Sequence, residues 1–209
     1  MQLIRDIQSS YGDGVRAEIF ENRQRKQALR FILAALDVDS SGELRDKEQP
    51  RATIVLFGHS WGASAAVYLA RDLRRRGIPV ALIVQVDSVR RHGEDDSVIP
   101  PNVRQAINFY QEQGVLHGER FITASDPART TILGNIRFRY EAEPPECRAY
   151  PWYNRVFFKG HTAIECDPRV WSQVNSLVRE RLPAPQPQLA VLGRAHHPTS
   201  TPAERSCGN

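Results

Sequence analysis

The residues best placed to do chemistry are Gly58-His59-Ser60-Trp61-Gly62. A serine with glycine two positions away on each side gains meaning from its context. An apolar run, Ala52 to Phe57, leads into it, and small and aliphatic residues at helical spacing follow it. A strand can reverse sharply into a helix through two glycines, because neither brings a Cβ into the crossing. Ser60 would then stand in a strained turn with its hydroxyl above the sheet edge. The amides that open the next helix would face any negative charge forming there. That is the setting of a nucleophile.

A serine hydroxyl is a weak nucleophile at neutral pH, so it needs a base, and the base needs an acid to orient it. Six histidines compete for the role of base. His59 lies inside the turn, badly directed for the task. His92 and His117 fall in polar loops, and His196 and His197 in the tail. His161, in Lys159-Gly160-His161-Thr162, follows a strand expected at 156–159 and precedes the last helix, which is the right topological place. The acid has two candidates. Asp87 ends an apolar strand, Val80 to Val86, whose burial would fix a carboxylate, and it is favoured. Asp126 ends a strand expected at Glu119 to Ser125, but Pro127 follows it, as in an Asp-Pro turn. Asp167 also precedes a proline and reads as a helix cap.

These side chains need elements to position them. The patterning predicts a helix over Met1 to Tyr11, a short strand over Val15 to Phe20 and a helix over Asn22 to Leu36. After a polar segment come the strand 53–58, a helix from Ser60 to about Arg76, and the strand 80–86. Beyond them a helix is expected over Asn102 to Gln113, strands at 119–125 and 156–159, and a final helix from Pro168 to Leu182, with Pro168 suited to a first turn. Strands alternating with helices imply an α/β fold, a mostly parallel sheet covered by helices on both faces. One domain over 1–182 is expected. The tail 183–209 is rich in Pro, Ala, Ser and Gln, and reads as disordered.

Composition narrows the field. The chain has 209 residues and a formal charge of +4. It has no apolar run long enough for a membrane span and no export signal, so the cytoplasm is the default expectation. Arg71, Arg74, Arg75 and Arg76 complement the negative end of a helix dipole and lack the interleaved aromatics of a nucleic-acid surface. Cys147 and Cys166 are near enough in sequence to be bridged, while an odd cysteine count without an export signal favours free thiols.

The segment Asp37-Val38-Asp39-Ser40-Ser41-Gly42-Glu43-Leu44-Arg45-Asp46-Lys47-Glu48 fits an EF-hand loop. Asp37, Asp39, Ser41, Glu43 and Glu48 would be its oxygen ligands to a structural calcium, and Gly42 would allow the turn. Arg45 at the ninth place and Pro50 after the loop favour the other reading, a solvated acidic turn.

Together, Gly58-His59-Ser60-Trp61-Gly62, Val86-Asp87-Ser88 and Gly160-His161 resemble the α/β-hydrolase family. The spacing from serine to acid, 87 − 60 = 27, is similar to that of the thioesterase domains of peptide and polyketide synthases. The resemblance implies that Ser60 attacks an acyl carbonyl, His161 is the base, Asp87 orients it, and the Trp61 amide donates to the oxyanion. A small-molecule thioester or carboxylic ester would be cleaved through an acyl-enzyme, with no cofactor required. In the family a lid lies where Arg90 to Gly118 falls, and Phe109, Tyr110, Val115 and Leu116 would line an acyl pocket or simply pack, as would Trp152 and Tyr153. The family's first strands and their oxyanion loop would lie before Met1, so an N-terminally short fold is expected. The second reading is a catalytically silent fold that binds calcium or a protein partner.

Overall fold

A computed structural model describes residues 2–37, 53–90, 92–140 and 158–184, together with Pro145, Cys147 and Pro151. Among these residues the main sheet has four strands: β1 (Val55–His59), β2 (Val80–Val86), β4 (Val103–Tyr110) and β6 (Thr131–Arg137), in that spatial order and all parallel. A second, two-stranded piece pairs β3 (Val98–Ile99) with β5 (Thr123–Ala124). Parallel neighbours need a crossover between them, and the helix α3 (Trp61–Arg74) supplies it between β1 and β2.

Alternation along β2 shows how the sheet is covered. Ile83 points into a core with Ala28, Leu29 and Leu36 of α2 (Arg25–Leu36) and with Val67, Ala70 and Leu73 of α3. Leu82, Val84 and Val86 point to the opposite face. There they meet Ile7 of α1 (Gln2–Tyr11), Ala163 and Ile164 of α4 (Lys159–Cys166), and Val170, Val174 and Val178 of α5 (Pro168–Arg179). The expected parallel sheet with helices on both faces is thus the fold. Asp167 caps α5, its carboxylate accepting from the Arg169 amide at 2.8 Å.

Several expectations need correction. The stretch 102–113 holds strand β4, not a helix: its Arg, Gln and Ala favour helix, but Ala106, Ile107, Phe109 and Tyr110 are buried between β2 and β6, and tertiary burial overrides propensity. The segment Arg90 to Gly118 therefore contains a central strand and is no lid. Phe109 packs edge-on against Phe138 in the core, while Val115 is 86% exposed. Residues 15–20 form no strand; Val15 and Ala17 turn inward and Ile19 outward, but no sheet neighbour among the described residues pairs with them. Only Thr123 and Ala124 of the strand expected at 119–125 take part in pairing.

Strand β6 is not expected from the sequence, where Gly134-Asn135 has the composition of a turn; both residues nevertheless pair in register with Ile107 and Asn108, and the extra residue Leu133 forms a bulge just before them. Residues 156 and 157 lie outside the described residues, and Lys159 already opens α4, so His161 sits on a helix and not on a loop. Cys147 and Cys166 are joined in a disulfide with their Cα atoms 5.5 Å apart, against the free-thiol reading. The bridge ties the end of α4 to the segment before it. The tail from residue 185 and Trp152 and Tyr153 lie outside the described residues.

Candidate active site

Three strands end side by side, and their ends carry the polar residues. Ser60 follows β1, Asp87 follows β2 and Gln111 follows β4. The ladder extends past the strands to hold them: the Ser60 amide donates to the Val86 carbonyl at 3.0 Å, and the Asp87 amide to the Phe109 carbonyl at 2.7 Å. Both residues then leave the strand geometry abruptly. Ser60 has φ 54° and ψ −129°, and Asp87 has φ 45°. A side chain in this left-handed region costs of order 1–3 kcal/mol, and such positions cluster at functional sites. Gly58 makes the turn possible, since a Cβ there would stand 2.5 Å from the Gly62 carbonyl carbon. Strand and helix pass too closely for any side chain.

Asp87 is fully buried and its carboxylate is saturated with donors. One oxygen, Oδ1, accepts from the Gly118 amide at 2.8 Å and the Gln111 amide at 3.4 Å. The other, Oδ2, accepts from Gln111 Nε2 at 2.8 Å and faces His161 Nδ1 at 2.7 Å. Burying a carboxylate without such partners would be prohibitive. His161 is 8% exposed and reaches Asp87 from α4, whose Gly160 passes directly against the Gln111 side chain. Gly118 must lack a side chain, because a Cβ would collide with the Asp87 backbone.

Gln111 is itself fixed: its Oε1 accepts from the Gln113 amide at 2.6 Å, and its Nε2 also donates to the Leu116 carbonyl at 3.0 Å. Neither Gln111 nor Gly118 was singled out by sequence reasoning. Reading 102–113 as a helix hid the fact that Gln111 ends a strand beside Asp87.

His59, set aside as a base, packs against the base candidate. Its ring centroid lies 4.5 Å from that of His161, tilted by 33°, and its Nδ1 lies 3.3 Å from Glu165 Oε2. Burial, reinforced by the neighbouring His161, pushes its pKa down to about 4, against the weaker opposing pull of Glu165 and Asp87.

The sign of the resulting pH dependence follows. The unfolded chain protonates His59 near the ordinary value of 6.5, whereas the folded chain resists until about 4. Stability is therefore unaffected above 6.5, falls as pH drops through that window, and levels off below about 4. The loss attributable to this residue is on the order of 3 kcal/mol. Urea midpoints measured between neutral pH and pH 4 should show a shallower decline for His59→Phe than for the parent chain; equal slopes would refute the assignment.

Asp126 lies at the far side of the sheet. Its carbonyl accepts from the Arg129 and Thr130 amides, and its carboxylate from the Ala128 amide at 3.0 Å, in a turn that leads into the start of β6. The strand ends bearing Ser60 and Asp87 are at the opposite edge. Of the candidate calcium ligands, Asp39, Ser41, Glu43 and Glu48 lie outside the described residues; Asp37 follows α2 directly. No helix among the described residues is long and apolar enough to cross a membrane.

Comparisons with known proteins bear on the family. The model of the Thioesterase domain family matches residues 39–120, a stretch that holds Ser60, Asp87, Gln111 and Gly118 and stops short of His161. Surfactin synthase subunit 3 of Bacillus subtilis (strain 168) is 30% identical over 95 residues, 44% of this chain and 8% of that protein. The chain thus spans a small fraction of that relative's length. No solved structure matches.

Proposed function

From the premise that this is a thioesterase-type α/β-hydrolase, we propose that the chain hydrolyses a small-molecule thioester or carboxylic ester through an acyl-enzyme on Ser60. The observation that carries the reading is the buried His161–Asp87 pair, 2.7 Å apart, at the sheet edge where Ser60 stands in its strained turn.

The chemistry follows from the proton positions. Asp87 accepts the Nδ1 proton of His161, which leaves Nε2 with the lone pair of a base. Nε2 takes the Ser60 proton as Oγ attacks the acyl carbonyl carbon, and the carbonyl π electrons move onto oxygen. The Trp61 amide, in the first turn of α3, donates to that oxyanion, aided by the helix dipole. Collapse re-forms the carbonyl and breaks the bond to sulfur or oxygen, and His161 returns its proton to the leaving group. Water, deprotonated by His161, then repeats the attack and releases the carboxylic acid and Ser60. Asp87 rather than Asp126 is the orienting acid in this scheme, because it touches the base.

Matched substrates test the reading. The same acyl group is offered as an N-acetylcysteamine thioester and as an alkyl ester, and leaving-group release is followed on mixing. The account expects a rapid release approaching one equivalent per chain, then slower turnover, with the acyl mass found on Ser60 after acid quench. A folded chain that hydrolyses neither substrate would contradict it.

A further inference from the structure

The mechanism above leaves His59 unused, yet His59 is joined to Ser60 in the chain and touches the base. The ring stack at 4.5 Å and the 3.3 Å approach of His59 Nδ1 to Glu165 make contact with both the ring of His161 and its helix. Glu165 lies on α4 one helical turn beyond His161. From this geometry we infer that His59 is a positioning residue, which fixes the plane of the His161 ring and sets its distance from Ser60, with Glu165 as its anchor. The inference rests on the reading of Ser60, His161 and Asp87 as nucleophile, base and acid.

A brace is needed for a geometric reason. The bond from His161 Nδ1 to Asp87 and the covalent tether at Cβ still let the ring swing slightly through its side-chain torsions. A second flat ring laid against it removes the swing. Because His59 is also the residue before the nucleophile, movement of β1 carries serine and brace together. Charge matters too: His161 becomes an imidazolium during attack, and a cationic neighbour would oppose that step. The charged or titratable groups that face His59 are His161, Asp87 and Glu165, and burial keeps His59 neutral. A neutral His59 that donates from Nδ1 to Glu165 has a bare lone pair at Nε2, and that buried atom has no hydrogen-bond partner among the described residues.

The test compares His59→Ala, His59→Phe and Glu165→Gln with the parent chain in thioester turnover and in labelling by a fluorophosphonate. Loss of the ring should lower kcat by roughly 10–100-fold with KM changed less than about threefold, the signature of a misplaced base. His59→Phe keeps the stack and should recover most of that loss. Glu165→Gln keeps an acceptor for His59 and should lower kcat only a few-fold. A His59→Ala chain that melts like the parent and keeps kcat within about twofold would overturn the inference, as would equal losses in His59→Ala and His59→Phe. If His59→Ala fails to fold, His59→Leu against His59→Phe makes the same comparison of ring and no ring. Parent chain that labels at Ser60, with His59→Ala labelling as fast, defeats the brace alone. A parent chain that never labels defeats the catalytic reading and the brace with it.

Discussion

Alanine at position 60 should lower turnover of an acyl thioester by about 10⁴–10⁶-fold while leaving the melting temperature within a few degrees. The change removes one hydroxyl and keeps the Cβ, so the strained turn at φ 54° is neither relieved nor worsened. The amide bond from Ser60 to the Val86 carbonyl survives, as do the bonds its own carbonyl accepts from the Ala63 and Ser64 amides. What disappears is the atom that must bond to the acyl carbon. Steady-state kinetics beside a thermal melt check this, and a Ser60→Ala chain with a tenth or more of the parent kcat would remove Ser60 from the mechanism.

Asp87→Asn is expected to cost about 10³–10⁴-fold in kcat, and some stability as well. Asp87 accepts at both oxygens, from Gly118 and Gln111 at one and from Gln111 Nε2 and His161 at the other. An asparagine has a single acceptor oxygen, so its amide nitrogen must face a donor whichever way it is turned. Turned toward His161, the amide donates to Nδ1 and drives the ring proton to Nε2, the atom that has to act as base. Turned the other way, it meets the Gly118 amide head on, leaving a buried donor unsatisfied at a cost of about 1–3 kcal/mol. Asp126→Asn is the control: its carboxylate serves a turn at the other edge of the sheet, and turnover should stay within about twofold of the parent. Equal losses in the two variants would contradict the assignment of the acid.

The parts of this arrangement that were legible in the sequence are the local ones. The strand entering Gly58, the helix leaving Gly62 and the apolar strand ending at Asp87 each announce themselves within a dozen residues. The resemblance to a known family added the pairing of Asp87 with a histidine far along the chain. Other features depend on neighbours distant in sequence. β4 has helix-forming residues and becomes a strand because β2 and β6 flank it. β6 is broken in sequence by Gly134-Asn135, yet Asn135 is needed there, since its side chain accepts from the Ile122 amide at 2.8 Å. Gln111 and Gly118 acquire their role only when the chain returns to Asp87, and nothing in their local sequence marks them. His59 lies in the turn itself, but its contact with His161 depends on where α4 docks.

Fluorophosphonate labelling of the intact chain, read by mass spectrometry and peptide mapping, tests the central claim most directly. The account predicts one adduct, on Ser60, formed by the parent chain, abolished in Ser60→Ala and slowed severely in Asp87→Asn. A correctly folded parent chain that takes up no label, or takes it up at another residue, would contradict the assignment of Ser60 as an activated nucleophile.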